Sequence, residues 1–81
     1  MARIVAAYYY DRRWLEKRRL EKGFTQAHMA EVAGVSLATY NRIEAGFQTP
    51  SIHRGMRICK ELDLDPQVFL SEKKIVIRPE S

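Results

Sequence analysis

Residues 24–46 read FTQAHMAEVAGVSLATYNRIEAG, and this stretch decides the fold. It holds two short helical patterns, each opening on a hydroxyl residue, Thr25 or Ser36, that can accept hydrogen bonds from the open N–H groups of a first helical turn. Gly34 lies between them and supplies the backbone freedom for a tight turn. The first helix carries Ala27, Met29, Ala30 and Ala33. In the second, at about 100° per residue, Ser36, Thr39, Tyr40 and Ile43 fall on one side and Leu37, Ala38, Asn41 and Arg42 on the other. One face packs, and the other is offered to something outside.

Upstream, residues 11–22 read as a helix that stops at Gly23, with Trp14, Leu15 and Leu20 as its apolar anchors. Arg12, Arg13, Lys17, Arg18 and Lys22 are most simply its solvated face, with Arg13 and Arg18 the two candidates for a phosphate contact. Residues 4–10 are rich in β-branched and aromatic side chains and read as a short strand, while Ala6 and Ala7 leave a helical extension open. Downstream, residues 46–50 form a loop and Ser51 caps a fourth helix whose Ile52, Met56, Ile58, Cys59 and Leu62 point inward. Gly55 interrupts that helix at a cost of about 1 kcal/mol relative to alanine, and Asp63 stands where a helix-ending glycine is expected. Asp65 and Pro66 open a last short helix that buries Val68, Phe69 and Leu70. The segment KIVIR, 74–78, reads as a strand that Pro79 breaks. An isolated strand is unstable, so the two terminal strands must pair, with each other or across a dimer.

A chain of 81 residues accommodates one domain with a modest core and leaves little room for a large catalytic cleft. Its 14 Lys and Arg against 10 Asp and Glu give a net charge of +4, which favours an anionic partner. A single cysteine, Cys59, allows no internal disulfide and fits a reducing cytoplasm; it reads as a buried, inert thiol. No apolar run reaches membrane-span length, and the N-terminal stretch lacks the apolar core of a secretion signal, so the expected location is the cytoplasm with no membrane partner. His28 and His53 have no partners at metal-ligand spacing, and no Ser-His-Asp or Cys-His constellation is present. No enzyme activity, metal or cofactor is expected. Tyr8, Tyr9 and Tyr10 either stack on bases or, more simply, pack against the core or a partner.

Several anchors occur in a specific order: Arg19, then Gly23-Phe24-Thr25-Gln26, Met29-Ala30, Gly34-Val35-Ser36, Arg42-Ile43-Glu44 with Gly46, and Pro50-Ser51. By these, residues from about 15 to 70 resemble the phage-repressor class of helix-turn-helix domain, the Cro-like or xenobiotic-response-element family. The resemblance implies an all-α, five-helix, lambda-repressor-like DNA-binding domain over residues 11–70. It does not reach the extensions, 1–10 and 71–81, which are left as the terminal strands.

The resemblance further implies that helix 36–45 enters the major groove of double-stranded DNA. Arg42 can then donate two hydrogen bonds to guanine, and Asn41 can pair with adenine or reach a phosphate. Leu37 and Ala38 are apolar where polar residues are common in the family, and they can touch thymine methyl groups. Gln26 matches a family glutamine on the sugar-phosphate backbone, where the open N–H groups of its helix also favour a phosphate. Gln48 and Thr49, with Phe47, Ser51, His53 and Arg54, approach the adjacent backbone. The implied DNA-binding set is therefore Gln26, Ser36, Leu37, Ala38, Thr39, Asn41, Arg42, Gln48 and Thr49. Arg19 and Glu44 match a family pair that forms an internal salt bridge. The expected function is sequence-specific transcription regulation by a repressor that binds its operator as a homodimer. The alternative is an antitoxin-like interaction module whose terminal segments dock on a protein partner such as a toxin.

Overall fold

The computed structural model describes residues 7–77. Within them the chain forms β1 Ala7–Tyr10, α1 Arg13–Glu21, α2 Gln26–Ala33, α3 Leu37–Ala45, α4 Ile52–Glu61, a 3-10 turn Pro66–Phe69 and β2 Lys74–Ile77. Three of the helices start on hydroxyl caps: Thr25 Oγ1 accepts from the N–H of His28 at 3.0 Å, Ser36 Oγ from Thr39 at 3.1 Å and Ser51 Oγ from Arg54 at 3.3 Å. Each such cap stabilises its helix by about 1 kcal/mol. α2 and α3 end on Gly34 and Gly46 in the left-handed region, at φ 74° and 91°. None of the described helices is long and apolar enough to cross a membrane.

One core joins the helices. Leu15 from α1, Met29, Ala30 and Ala33 from α2, Tyr40 and Ile43 from α3, and Ile58 and Leu62 from and just after α4 are all buried. Trp14, Phe24, Val35 and Leu64 pack on its margin. Burying a side chain of leucine or isoleucine size stabilises by about 1.5–3 kcal/mol, so this cluster is the main source of stability.

Leu20, Ile52, Met56 and Leu70, expected to point inward, are exposed instead. The buried stripe of the first helical segment runs through Arg12, Leu15 and Arg19, at i, i+3 and i+7, and Leu20 lies off it. The buried stripe of α4 runs through Gly55, Ile58 and Cys59. Ile52 and Met56 instead line a shallow groove with Pro66 and Leu70. α4 continues through Gly55, which packs against the Phe69 ring. Asp63 itself adopts the left-handed conformation expected of a glycine, φ 54°, and is ion-paired with Lys22.

The expected count of five α-helices is corrected to four, joined by a two-stranded sheet. Asp65 and Pro66 do start a turn, with Asp65 Oδ1 accepting from the N–H of Gln67 at 2.9 Å. It lasts only four residues because Glu72, just beyond, is drawn onto Arg12 and Trp14, and the β-branched residues after it join β1. β1 and β2 run antiparallel, with Tyr8 opposite Val76 and Tyr10 opposite Lys74. The terminal strands thus pair with each other. Their expected continuations at residues 4–6 and 78 lie outside the described residues. The sheet is tied to the end of α3 where Tyr10 N–H donates to Gly46 O at 2.9 Å, and Asp11 N–H to Lys73 O at 2.8 Å carries the strand pairing one step further.

Candidate nucleic-acid interface

α3 has two unlike sides because its sequence alternates buried and polar positions at helical spacing. Tyr40, Ile43 and Glu44 are buried, whereas Leu37, Ala38, Asn41 and Arg42 face solvent. Arg42 forms no ion pair among the described residues. Between Glu31 and Glu61 the chain holds one carboxylate, Glu44, against Arg42, Arg54, Arg57 and Lys60. Glu44 is buried and the four cations are exposed, so this segment presents positive charge without an exposed carboxylate of its own.

The inner side of α3 is locked to α1. Arg19 Nε and Nη2 each donate to Glu44 at 2.8 Å, a two-pronged pairing of guanidinium and carboxylate, and Arg19 Nη1 donates to Phe24 O at 2.9 Å. The hydrogen bonds that Arg19 donates to Glu44 push the Arg19 pKa up, with burial opposing. Gln26 Nε2 donates to Glu44 Oε1 at 3.2 Å, which holds the side chain at the start of α2 and leaves its second amide hydrogen for an outside acceptor. Tyr40 Oη lies buried with no hydrogen bond of ordinary geometry among the described residues, and burial, with the Glu44 carboxylate nearby, raises its pKa far above the usual phenol range.

The remaining sequence-derived residues divide by task. Ser36 Oγ accepts from the Thr39 N–H and donates to Thr39 Oγ1 at 3.0 Å, so its hydroxyl is engaged in starting α3. Thr39 keeps its own hydroxyl hydrogen for an outside acceptor. Gln48 and Thr49 sit in the loop after α3, whose start is shaped by N–H bonds from Phe47 and Gln48 to Arg42 O at 3.0 and 3.3 Å. Thr49 is exposed and its Oγ1 accepts from Arg12. Ser51, His53 and Arg54 line the exposed start of α4.

Of the two α1-region arginines weighed as phosphate contacts, Arg13 is paired with Asp11 and Arg18 Nε donates to Leu62 O at 2.8 Å. Arg12 corrects the expectation of a solvated face, being enclosed on all sides. Its guanidinium meets Glu72, two backbone carbonyls and Thr49. The signal that finds it is its spacing from Leu15 and Arg19 on one helical stripe. Glu72 carries no comparable sequence signal. Tyr9 and Tyr10 are half-buried and Tyr8 is exposed: Tyr9 lies against Phe47, with ring centroids 5.3 Å apart, and Tyr8 stands edge-on to Tyr10 at 5.9 Å. Burial pushes the Cys59 thiol up to about 11, so it stays protonated and unreactive at neutral pH.

Comparison with known proteins matches this geometry to others. A model of the helix-turn-helix family matches residues 15–69. YqaF of Bacillus subtilis (strain 168), described as an uncharacterized HTH-type transcriptional regulator, is 41% identical over 61 residues, covering 75% of this chain and 80% of its own length. The N-terminal DNA-binding domain of SinR from Bacillus subtilis is 34% identical, with TM-score 0.62 over 74% of this chain and 88% of that one. SinR in complex with DNA, described as the master regulator for biofilm formation, is 32% identical with TM-score 0.61, covering 72% and 94%. A complex of the SinR and SinI proteins contains a chain 32% identical with TM-score 0.62 over 72% of this chain, which spans 57% of that chain's length.

Proposed function

This chain belongs to the helix-turn-helix family of DNA-binding transcription regulators, and we propose from that membership that it is a sequence-specific repressor working in the cytoplasm. α3 enters the major groove of its operator. The observation that carries this reading is the two-sided character of α3: an inner side fixed by Arg19 and Glu44, and an outer side on which Asn41 and Arg42 stand exposed. Arg42 donates to guanine O6 and N7, Asn41 reads adenine or holds a phosphate, and Leu37, Ala38 and Thr39 contact thymine methyl groups and neighbouring edges. Ser36 fixes the start of the helix. Gln26, Gln48 and Thr49 bind the backbone and set the register. A homodimer on a pseudo-palindromic operator places two such helices roughly 34–36 Å apart.

Selection of bound sequences from a random duplex pool tests this reading, repeated on Arg42→Ala and Gln26→Ala. Arg42→Ala is expected to lose preference at one defined position, at a cost of about 1–3 kcal/mol. Gln26→Ala is expected to weaken all sequences alike. A wild-type protein that selects no sequence at low salt defeats the proposal.

A protein partner is the second reading, and a specific surface favours it. Ile52, Met56 and Leu70 are exposed around the groove between α4 and the 3-10 turn, an apolar group that water covers poorly. The antitoxin-like form of this reading puts a partner such as a toxin on the terminal segments. Co-purification of a small protein with the intact chain, lost on Ile52→Ser or on removal of β2, distinguishes the two docking places.

A further inference from the structure

The loop that follows α3 is held from beneath by a residue outside both. Arg12 is buried, and a guanidinium has five N–H bonds to satisfy. All five are used: Nε and Nη2 donate to Glu72 at 2.8 and 2.9 Å, Nη1 to Ile43 O at 2.8 Å and to Gln48 O, and Nη2 again to Thr49 Oγ1 at 2.9 Å. Ile43 O is among the last four carbonyls of α3 and also accepts from the Gly46 N–H at 3.1 Å, so Arg12 adds a second donor and a positive charge at the negative end of that helix. Trp14 Nε1 donates to Glu72 Oε2 at 3.0 Å and fixes the carboxylate from its other side.

The bond to Thr49 has a directional consequence. A hydroxyl has one hydrogen to give and two lone pairs to receive. With a lone pair turned to Arg12, the Thr49 hydrogen points away from it, and the side chain lies at the surface. We propose that Arg12 and Glu72 are positioning residues for DNA binding, which present the Thr49 hydroxyl as a donor to one phosphate of the duplex. The segment that carries Glu72 therefore sets part of the affinity from outside the helix-turn-helix. This inference rests on the reading of α3 as the recognition helix and of the loop after it as lying along the backbone.

Charge alone forecasts the opposite sign for one partner. Glu72→Gln removes a negative charge from a protein that binds a polyanion, which by itself strengthens binding; loss of positioning weakens it. The test uses the full chain, folded by circular dichroism at low temperature, on the operator it selects. Affinity is measured over a salt series together with interference by phosphate ethylation. Thr49→Val, a surface change, is expected to weaken binding about five- to tenfold and to erase interference at one phosphate, and Thr49→Ser to restore both. Glu72→Gln and Arg12→Lys are expected to erase the same phosphate with base preference unchanged. The slope of affinity against salt stays the same, because no cation that touches DNA has been removed. Adding Thr49→Val to either variant produces little further loss.

Wild-type binding by Thr49→Val overturns the proposal, as does tighter binding by Glu72→Gln or full additivity in the double variants. Where Arg12→Lys or Glu72→Gln fails to fold, Glu72→Asp, which keeps the charge and retracts it from Arg12, replaces it with the same expected loss. These failures leave a selected operator and an intact role for Arg42. A chain that selects no sequence removes the recognition reading and this inference with it.

Discussion

Two buried arginine–glutamate pairs brace the same helix from different parts of the chain. Arg19–Glu44 joins α1 to α3 across 25 residues and lies inside the segment 15–69 that matches the helix-turn-helix model. Arg12–Glu72 spans 60 residues, and both its members fall outside that segment. The chemistry is shared: a forked guanidinium on a carboxylate, with both side chains removed from water. The surroundings differ. Arg19 adds one backbone carbonyl, whereas Arg12 adds two, together with a threonine hydroxyl and the faces of Tyr10 and Phe69 at 5.5 and 5.2 Å. The difference teaches that the helix-turn-helix carries its own brace, and that the segments flanking it bring a second one to the same, C-terminal end of α3, at the adjacent residues Glu44 and Ile43.

The largest expected effect comes from breaking either brace on one side only. Arg12→Met leaves the buried Glu72 carboxylate without its cation, holding only the Trp14 bond, and takes a donor from the Ile43 and Gln48 carbonyls; it is expected to cost about 3–5 kcal/mol in urea unfolding. Arg19→Met should fall at the lower end of that range, because it takes a donor from one backbone carbonyl, Phe24 O, where Arg12→Met takes one from two. Removing both charges, as in Arg12→Met with Glu72→Leu, should recover most of the loss, since no buried ion remains unpaired. A double variant as unstable as the single one would mean that the carbonyls, rather than the charge, dominate this site.

Gly46 is where the two braced regions meet, and its replacement should come next in size. Its φ of 91° disfavours any side chain, and a Cβ there would lie 1.9 Å from Tyr10 O. Gly46→Ala must push β1 away and break the Tyr10 N–H bond to Gly46 O. A loss of about 2–4 kcal/mol is expected, with amide exchange faster at Tyr10 and at the strand positions than in α2. Uniform acceleration throughout would instead show that the sheet and the helices open as one unit.

The same contrast explains what was legible in the sequence. The caps at Thr25, Ser36 and Ser51 and the glycine at 34 are local signals, written within a few residues of the structure they make, and each is found where the spacing puts it. The outward face of α3 is periodic and equally readable. Arg12 shares a stripe with Leu15 and Arg19, but its partner is not legible, because its burial depends on a carboxylate 60 residues away. The truncated fifth helix has the same origin, since Glu72 and the pairing of β2 compete with helix continuation at a point where the local sequence favours a turn. Leu20, Ile52, Met56 and Leu70 mislead because hydrophobicity alone does not say which side of a helix faces the core.

A smaller change sharpens the comparison from the Arg19 side. Every donor of Arg12 is matched, yet Tyr40 Oη, fully buried beside the Arg19–Glu44 pair, makes no hydrogen bond of ordinary geometry among the described residues. Tyr40→Phe removes an unsatisfied polar atom while keeping the ring, and is expected to raise stability by about 1 kcal/mol. Thermal unfolding of the two proteins side by side measures it. A lower midpoint for Tyr40→Phe would show that the hydroxyl supports the brace.

The least effect is expected from the exposed ion pairs, which mark the other limit of the comparison. The Arg13 side chain hydrogen-bonds Asp11 at 2.6 and 2.9 Å and pulls its carboxyl down to about 2, and Lys22 lowers that of Asp63 in the same way. A carboxyl whose pKa is depressed on folding contributes stability that is fully present above its ordinary value of 3.8 and is lost as pH falls toward 2. The thermal midpoint should therefore decline over this interval, more gently in high salt, which screens exposed charges. Asp11→Asn should flatten part of that decline and lower the midpoint at neutral pH by the same small amount. An equal decline in Asp11→Asn would assign the acid sensitivity to other carboxyls. Water replaces either partner of the exposed pair at once, and it has no route to the guanidinium of Arg12; this access, more than the geometry of the bonds, separates an ion pair that decorates the fold from one that shapes it.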